Sequence, residues 1–214
     1  MHNPAEDIIP DLPPFPDTLF DALQRDGYAV LERWMPESLR DSLYQEALRL
    51  YEHGAMKPAA IGQGRDKHVD RTERSDHIRW LDPQNSGAQY RFLEWMAHYR
   101  QELNRRFYFG INNYEAHFAV YPKGSFYNTH YDNFRGRNRR IVTTVWYLNP
   151  EWRAEWGGEL IIYDAQKQKL RRVLPAPGTL VTFLSEALPH EVRPVTQPRV
   201  SIAGWMRRDD MTAV

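Results

Sequence analysis

Residues 140–148, Arg140-Ile-Val-Thr-Thr-Val-Trp-Tyr-Leu148, decide the fold: β-branched and aromatic residues follow one another at strand period, and Asn149-Pro150 ends the run. Working outward, the same period of two recurs at 115–121, 158–163, 179–184, 190–195 and 199–206, with Gly, Pro and Asn between the runs. Such a series indicates an antiparallel sandwich or barrel. Upstream of residue 114 the period is helical. Pro16-Asp17 opens a short amphipathic stretch that ends near Gly27, and Tyr28-Ala-Val-Leu31 reads as a strand. Leu39, Leu43, Ala47 and Leu50, behind Pro36 and ahead of Gly54, predict a second helix. Residues 86–107, through Leu93, Met96, Tyr99 and Leu103, predict a third. Between these two, Ala59 to Asp76 carries Gly62, Gly64 and many charges, and reads as a mobile loop. The economical architecture is α+β, a double-stranded β-helix (jelly roll) with N-terminal helices buttressing one face. It forms one domain over 1–214, in which 1–114 supply helical support and the loop and 115–207 the jelly-roll core.

Composition narrows the chemistry. Lys plus Arg and Asp plus Glu are both 28, so no global field recruits nucleic acid or an anionic membrane. The absence of cysteine excludes disulfides, thiolate zinc sites, iron–sulfur clusters and cysteine nucleophiles, leaving His, Asp and Glu as metal ligands. A cytoplasmic setting suits that composition. The first sixteen residues hold Glu6, Asp7 and Asp11 among prolines, which reads as neither signal peptide nor membrane span.

His130-Tyr131-Asp132 sets an imidazole and a carboxylate two residues apart, so extended backbone turns both to one face. An isolated triplet of this kind is more often a surface turn. Its context is Leu188-Pro-His-Glu-Val192, where a histidine enters a strand just after the run 179–184. A jelly roll can bring the start of one strand opposite the end of another, giving His130, Asp132 and His190 one face of an octahedral ion. Two His, one carboxylate and three open positions favour non-haem iron(II). Arg199, nine residues after His190 at the start of the last strand, offers a guanidinium fork suited to a carboxylate. Trp205 falls on the same strand face as Arg199, and Ile141, Thr143, Val145 and Tyr147 are read as sharing one face of theirs. His68 and His77 read as residues of a solvated loop, and His53, His98 and His117 lack a partner carboxylate at ligand spacing. The cluster Arg135-Gly-Arg-Asn-Arg-Arg140 reads as a charged hairpin at a substrate rim.

These residues resemble the 2-oxoglutarate oxygenases of the prolyl hydroxylase type, in particular the hypoxia-inducible-factor prolyl hydroxylases and their compact bacterial relatives. The resemblance runs through Val120-Tyr-Pro122, His130-Tyr-Asp132, Arg140 to Asn149, Trp156-Gly-Gly-Glu-Leu160, Pro189-His-Glu-Val192, Arg199 and Trp205. Gly64-Arg-Asp-Lys67 and Ile78-Arg-Trp80 are similar to an upstream segment of that family. It implies that His130, Asp132 and His190 bind Fe(II) and that Arg199, assisted by Tyr147, holds the distal carboxylate of 2-oxoglutarate. By the same resemblance Tyr121 and Trp205 wall the co-substrate pocket and Arg140 lies near the substrate groove. The turn after Tyr121 is one residue shorter than the family's and lacks its usual glycines. The reaction implied consumes dioxygen and 2-oxoglutarate, releases succinate and hydroxylates a prolyl residue of a protein, with ascorbate as reductant. For the compact bacterial branch the implied protein is translation elongation factor Tu, and the loop at 61–77 is the candidate lid. Alternative readings are a 2-oxoglutarate-binding metal sensor without turnover and an oxygenase of the same class acting on a small molecule. A zinc hydrolase could use the same three ligands, but it leaves Arg199 and Tyr147 without a carboxylate to hold.

Overall fold

A computed structural model describes residues 11–60, 68–132 and 139–209 of the chain. Helix α1 (Asp17–Asp26) follows Pro16 and stops at Gly27, whose φ of 77° lets its N–H reach back to the Leu23 carbonyl. β1 (Tyr28–Leu31) leads into α2 (Glu37–Glu52), which begins after Pro36. Two short strands, β2 (Lys57–Pro58) and β3 (His77–Trp80), precede α3 (Gly87–Phe107), capped by the Ser86 hydroxyl accepting from the Gln89 N–H. The remainder is strand: β4 (Asn113–Tyr121), β5 (Tyr127–His130), β6 (Arg140–Tyr147), β7 (Leu160–Tyr163), β8 (Lys169–Val173), β9 (Leu180–Leu184), β10 (His190–Val192) and β11 (Arg199–Arg207). No helix among the described residues is long and apolar enough to cross a membrane.

The strands form the two sheets of the expected jelly roll. The larger runs β1-β9-β6-β11-β4-β3-β2 and the smaller β5-β10-β7-β8, and the named strand pairs are antiparallel. Period-two alternation divides the larger sheet's side chains between two cores. Phe118, Val120, Val142, Trp146, Ile202 and Met206 face the helices and meet Leu19, Leu43, Phe92 and Trp95. The indoles of Trp95 and Trp146 lie 4.9 Å apart, and the buried Tyr99 hydroxyl is 2.9 Å from Thr182 Oγ1. Ala119, Tyr121, Val145, Tyr147 and Phe183 face the other way, toward Leu160, Ile162 and Val192 of the smaller sheet. The buttressing helices therefore cover the outer face of the larger sheet and leave its inner face, with the mouth of the sandwich, for chemistry.

Two of the register shifts among the described strands, in β6 and β5, bear on the inner face. Val142 pairs with Met206 but Arg140 with Arg207, so Ile141 is an extra residue in β6. Arg140 is thereby turned to the inner face with Thr143 and Val145, while Ile141 joins the helix-side core, contrary to its expected place beside Tyr147. In β5, His130 pairs with His190 but Tyr127 with Val192, so two residues oppose Glu191 alone. That extra residue puts Tyr127 and His130, three apart, on the same face.

Residues 61–67 of the expected lid and 133–138 of the charged hairpin lie outside the described residues. The rest of the expected loop is built into the fold instead of detached from it. Arg74 makes a β-bridge with Tyr127, the Ser75 N–H donates to Phe126 O, and the Asn128 N–H donates to Glu73 O. The strands β2, β3, β5 and β8 were not foreseen as runs. β8 shows why: four of its five residues are exposed, so it has no apolar face to read.

Candidate active site

His130 and His190 are direct cross-strand partners, on β5 and β10, and Asp132 lies two residues after His130, just past the end of β5. Asp132 Oδ1 is 3.5 Å from His130 Nε2, and Asp132 Oδ2 is 3.5 Å from His190 Nε2. One ligand atom from each of the three lies within 4.8 Å of the others. The tautomers are set by the backbone. His130 Nδ1 is 2.8 Å from the Asn128 carbonyl and His190 Nδ1 is 3.2 Å from the Leu188 carbonyl. A carbonyl accepts only, so Nδ1 carries the proton in both rings and each Nε2 presents a lone pair to the common point. Thr143 Oγ1 donates to Asp132 Oδ2 at 2.8 Å and is itself 2.8 Å from Ser185 Oγ, which fixes the carboxylate. Sequence reading missed Thr143, which carries no signal beyond its place on the inner face. Burial would raise the Asp132 pKa, yet the neighbouring imidazoles of His190 and His130, with Arg140, hold it far below the usual carboxylate range. His190 is pushed down to about 4, by burial first and by His130 next, so its ring is neutral near pH 7 as a ligand must be.

Arg199 opens β11 directly opposite Tyr121, with Tyr147 one strand away facing Ser201. Its side chain is 1% exposed and pairs with no carboxylate among the described residues. Its guanidinium carbon lies 4.9 Å from the ring centres of both Tyr121 and Tyr147, and Nη1 donates to Ser201 Oγ at 3.2 Å. Arg199 Nε and the Tyr147 hydroxyl are buried without a hydrogen-bond partner. One orphaned donor on a buried cation and one on the phenol beside it form a pair suited to an anion. The guanidinium and a rigid phenol beside it suit the distal carboxylate of a small dicarboxylate. The Tyr147 pKa is raised by burial against the pull of Arg199, so the phenol keeps its proton and donates.

The paired glycines of Trp156-Gly-Gly-Glu-Leu160 shape this pocket. Both have φ of 70°. A Cβ on Gly157 would stand 2.2 Å from Pro194 O, and one on Gly158 would stand 2.7 Å from Val195 Cγ1 and 3.1 Å from Arg199 Cδ. Gly158→Ala is therefore expected to displace Arg199, destabilising the fold by about 1–3 kcal/mol and raising the requirement for the anion. Chemical denaturation and a ligand titration of the same variant check both effects.

The three-residue cluster and Arg199 open into one cavity of about 970 Å³ that Trp80, His117, Trp205 and Arg140 also line. Trp205 lies on the Arg199 face as expected, with the Arg140 guanidinium 3.6 Å above its ring. Arg140 is held by Glu115, to which it donates from Nε at 3.0 Å and Nη2 at 2.8 Å. His117 lies between the two indoles, 5.1 Å from Trp80 and 5.4 Å from Trp205, and was not foreseen as part of the site. Burial, then the charge of Arg74, lowers its pKa to about 4. Its ordinary value is about 6.5, so in that window the unfolded chain takes up a proton that the folded one refuses. Stability must then fall as pH falls from about 6.5 to 4, by up to about 3 kcal/mol from this residue. In His117→Leu, equilibrium unfolding across that range is expected to lose this component and show a shallower slope.

Known proteins resemble this chain in sequence and in fold. The sequence model of the 2OG-Fe(II) oxygenase superfamily matches residues 116–207, the stretch that holds the triad, Arg199 and Trp205. The chain is 30% identical over 196 residues to the hypoxia-inducible factor prolyl hydroxylase of Caenorhabditis elegans, covering 86% of this chain and 27% of that protein. It is 27% identical over 187 residues to prolyl hydroxylase EGLN3 of Mus musculus, covering 84% of this chain and 77% of that one. Among solved structures, a Pseudomonas putida prolyl-4-hydroxylase is 35% identical with a TM-score of 0.82, over 91% of this chain and 99% of that chain. A prolyl hydroxylase from Trichoplax adhaerens, solved with a hypoxia-inducible-factor oxygen degradation domain peptide fragment, is 25% identical with a TM-score of 0.78, over 90% and 88% of the two chains.

Proposed function

The chain belongs to the 2OG-Fe(II) oxygenase superfamily, among its dioxygenases of the prolyl 4-hydroxylase type, and from that premise we propose that it hydroxylates a prolyl residue of a protein substrate in the cytoplasm, with elongation factor Tu as the candidate. The observation that carries the reading is that three ligand atoms sharing one point and a buried guanidinium with an unpartnered Nε open into the same cavity. In this reading His130, Asp132 and His190 hold Fe(II). Arg199 and Tyr147 hold the distal carboxylate of 2-oxoglutarate, and Tyr121 and Trp205 wall it. Bound there, the metal and co-substrate supply the oxidation: dioxygen and 2-oxoglutarate become carbon dioxide and succinate as one oxygen atom enters a substrate C–H bond.

The chain's own residues orient and shield. Nδ1 protons on His130 and His190 set each ring's tautomer for ligation, and Thr143 supports the carboxylate between them. Trp80, Trp205 and Tyr127 line the cavity and offer a substrate ring an aromatic surface. Arg140, anchored by Glu115 and stacked on Trp205, stands at the rim as a fixed donor to a substrate carbonyl. The cavity is at the upper end of the range for small ligands and continues along β3, which suits a peptide better than a compact metabolite. The test is incubation of the protein with iron(II), ascorbate, 2-oxoglutarate and purified elongation factor Tu. Peptide mass mapping is expected to show the gain of one oxygen on a single proline; its absence while 2-oxoglutarate is consumed removes that substrate.

A further inference from the structure

The segment 70–76 is joined to one metal-ligating imidazole by a stack of three planar groups. The bulge in β5 brings Tyr127 onto the face of His130, and their rings lie nearly parallel, with centroids 3.5 Å apart and an angle of 15°. The Arg74 guanidinium sits over the same Tyr127 ring, 4.3 Å from its centroid. Arg74 is itself clamped. Its Nε and Nη2 donate to the two carboxylate oxygens of Asp76 at 2.8 and 2.6 Å, and the Asp76 side chain is 0% exposed. The backbone follows the same path, since the Arg74 bridge to Tyr127 and the Asn128 bond to Glu73 carry segment 70–76 on β5. A hydrogen bond from Nδ1 to Asn128 fixes one edge of the His130 ring, but a single bond leaves the ring free to tilt about it. The Tyr127 face removes that freedom.

We propose that Tyr127 and Arg74 are positioning residues for the metal centre, and that the stack couples segment 70–76 to occupancy of the metal site. The inference rests on the triad being a metal site, as read above. By thermodynamic linkage, whatever the stack contributes to metal affinity, metal binding returns to the order of the segment. Groups that orient a ligating histidine typically account for about 10- to 100-fold in metal affinity. Since the contact is made by the ring and not by the hydroxyl, phenylalanine should replace Tyr127 and leucine should not.

The experiment is an anaerobic Co(II) titration of the full chain, read by its visible d–d bands, with amide hydrogen exchange over residues 70–76 in the absence and presence of Co(II). Expected are a wild-type spectrum and affinity for Tyr127→Phe, and about tenfold weaker binding with shifted bands for Tyr127→Leu. A double variant, Arg74→Met with Asp76→Asn, leaves no buried carboxylate unpaired and should weaken binding in the same direction. In the wild type, Co(II) should slow exchange in the segment. Unchanged affinity and bands in Tyr127→Leu, or exchange in wild-type 70–76 that is indifferent to Co(II), overturns the coupling while leaving the metal site in place. Wild-type protein that binds no more Co(II) than His130→Ala overturns the metal reading itself, and the coupling with it.

Discussion

Arg199→Leu is expected to raise the KM for 2-oxoglutarate by two orders of magnitude or more while leaving the apo protein as stable as the wild type or more so. Arg199 is nearly inaccessible, donates to Ser201 Oγ and keeps a buried Nε without a partner, so its burial costs free energy that only a bound anion offsets. Removing one member of a buried, hydrogen-bonded charge pair costs about 2–5 kcal/mol, and every ~1.4 kcal/mol is tenfold in affinity. In the apo state leucine exchanges an unpaired cation for an apolar side chain, which is neutral or favourable. Arg199→Lys keeps the charge but lacks the planar fork, and should fall between the two. Substrate kinetics and thermal unfolding, each with and without 2-oxoglutarate, separate the predictions. A leucine variant that loses apo stability while keeping its KM would show Arg199 to be structural.

Asp132→Ala should have the other large effect. Asp132 is the sole carboxylate in the ligand cluster of the described residues, with its oxygens 3.5 Å from both free Nε2 atoms. Its removal takes away the carboxylate of the cluster and leaves the buried His190, the half-buried His130 and the Thr143 hydroxyl around its place. The loss of metal affinity should exceed the roughly 100-fold that mark the upper range for groups merely supporting a ligand. A chelator-competition titration measures it. Thr143→Val, which removes the support and not the ligand, should stay within that range.

The features legible in the sequence were those governed by period and by rigid local chemistry. The runs at 140–148, 179–184 and 199–206 are buried strands of the larger sheet, and a period of two identifies such strands directly. Gly27 marks a helix end because a left-handed cap depends on the residue itself. His130, Asp132 and His190 converge because β5 and β10 pair in the register that the jelly roll permits. The rest was hidden where the pairing departs from regularity. A bulge is a property of two strands, not one, so neither the turning of Arg140 inward nor the alignment of Tyr127 with His130 could be read from either run alone. Arg74 and Asp76 looked like the charges of a loose loop, since their shared burial arises only when β5 covers them. His117 lacked a ligand partner in sequence and serves as wall between two indoles contributed by other strands.

The most direct measurement is succinate release from 2-oxoglutarate by the iron-loaded protein beside its His130→Ala variant under the same dioxygen and ascorbate. Dependence of release on added iron(II) and its disappearance in His130→Ala are predicted; equal release by both proteins, or none by either, would contradict the account.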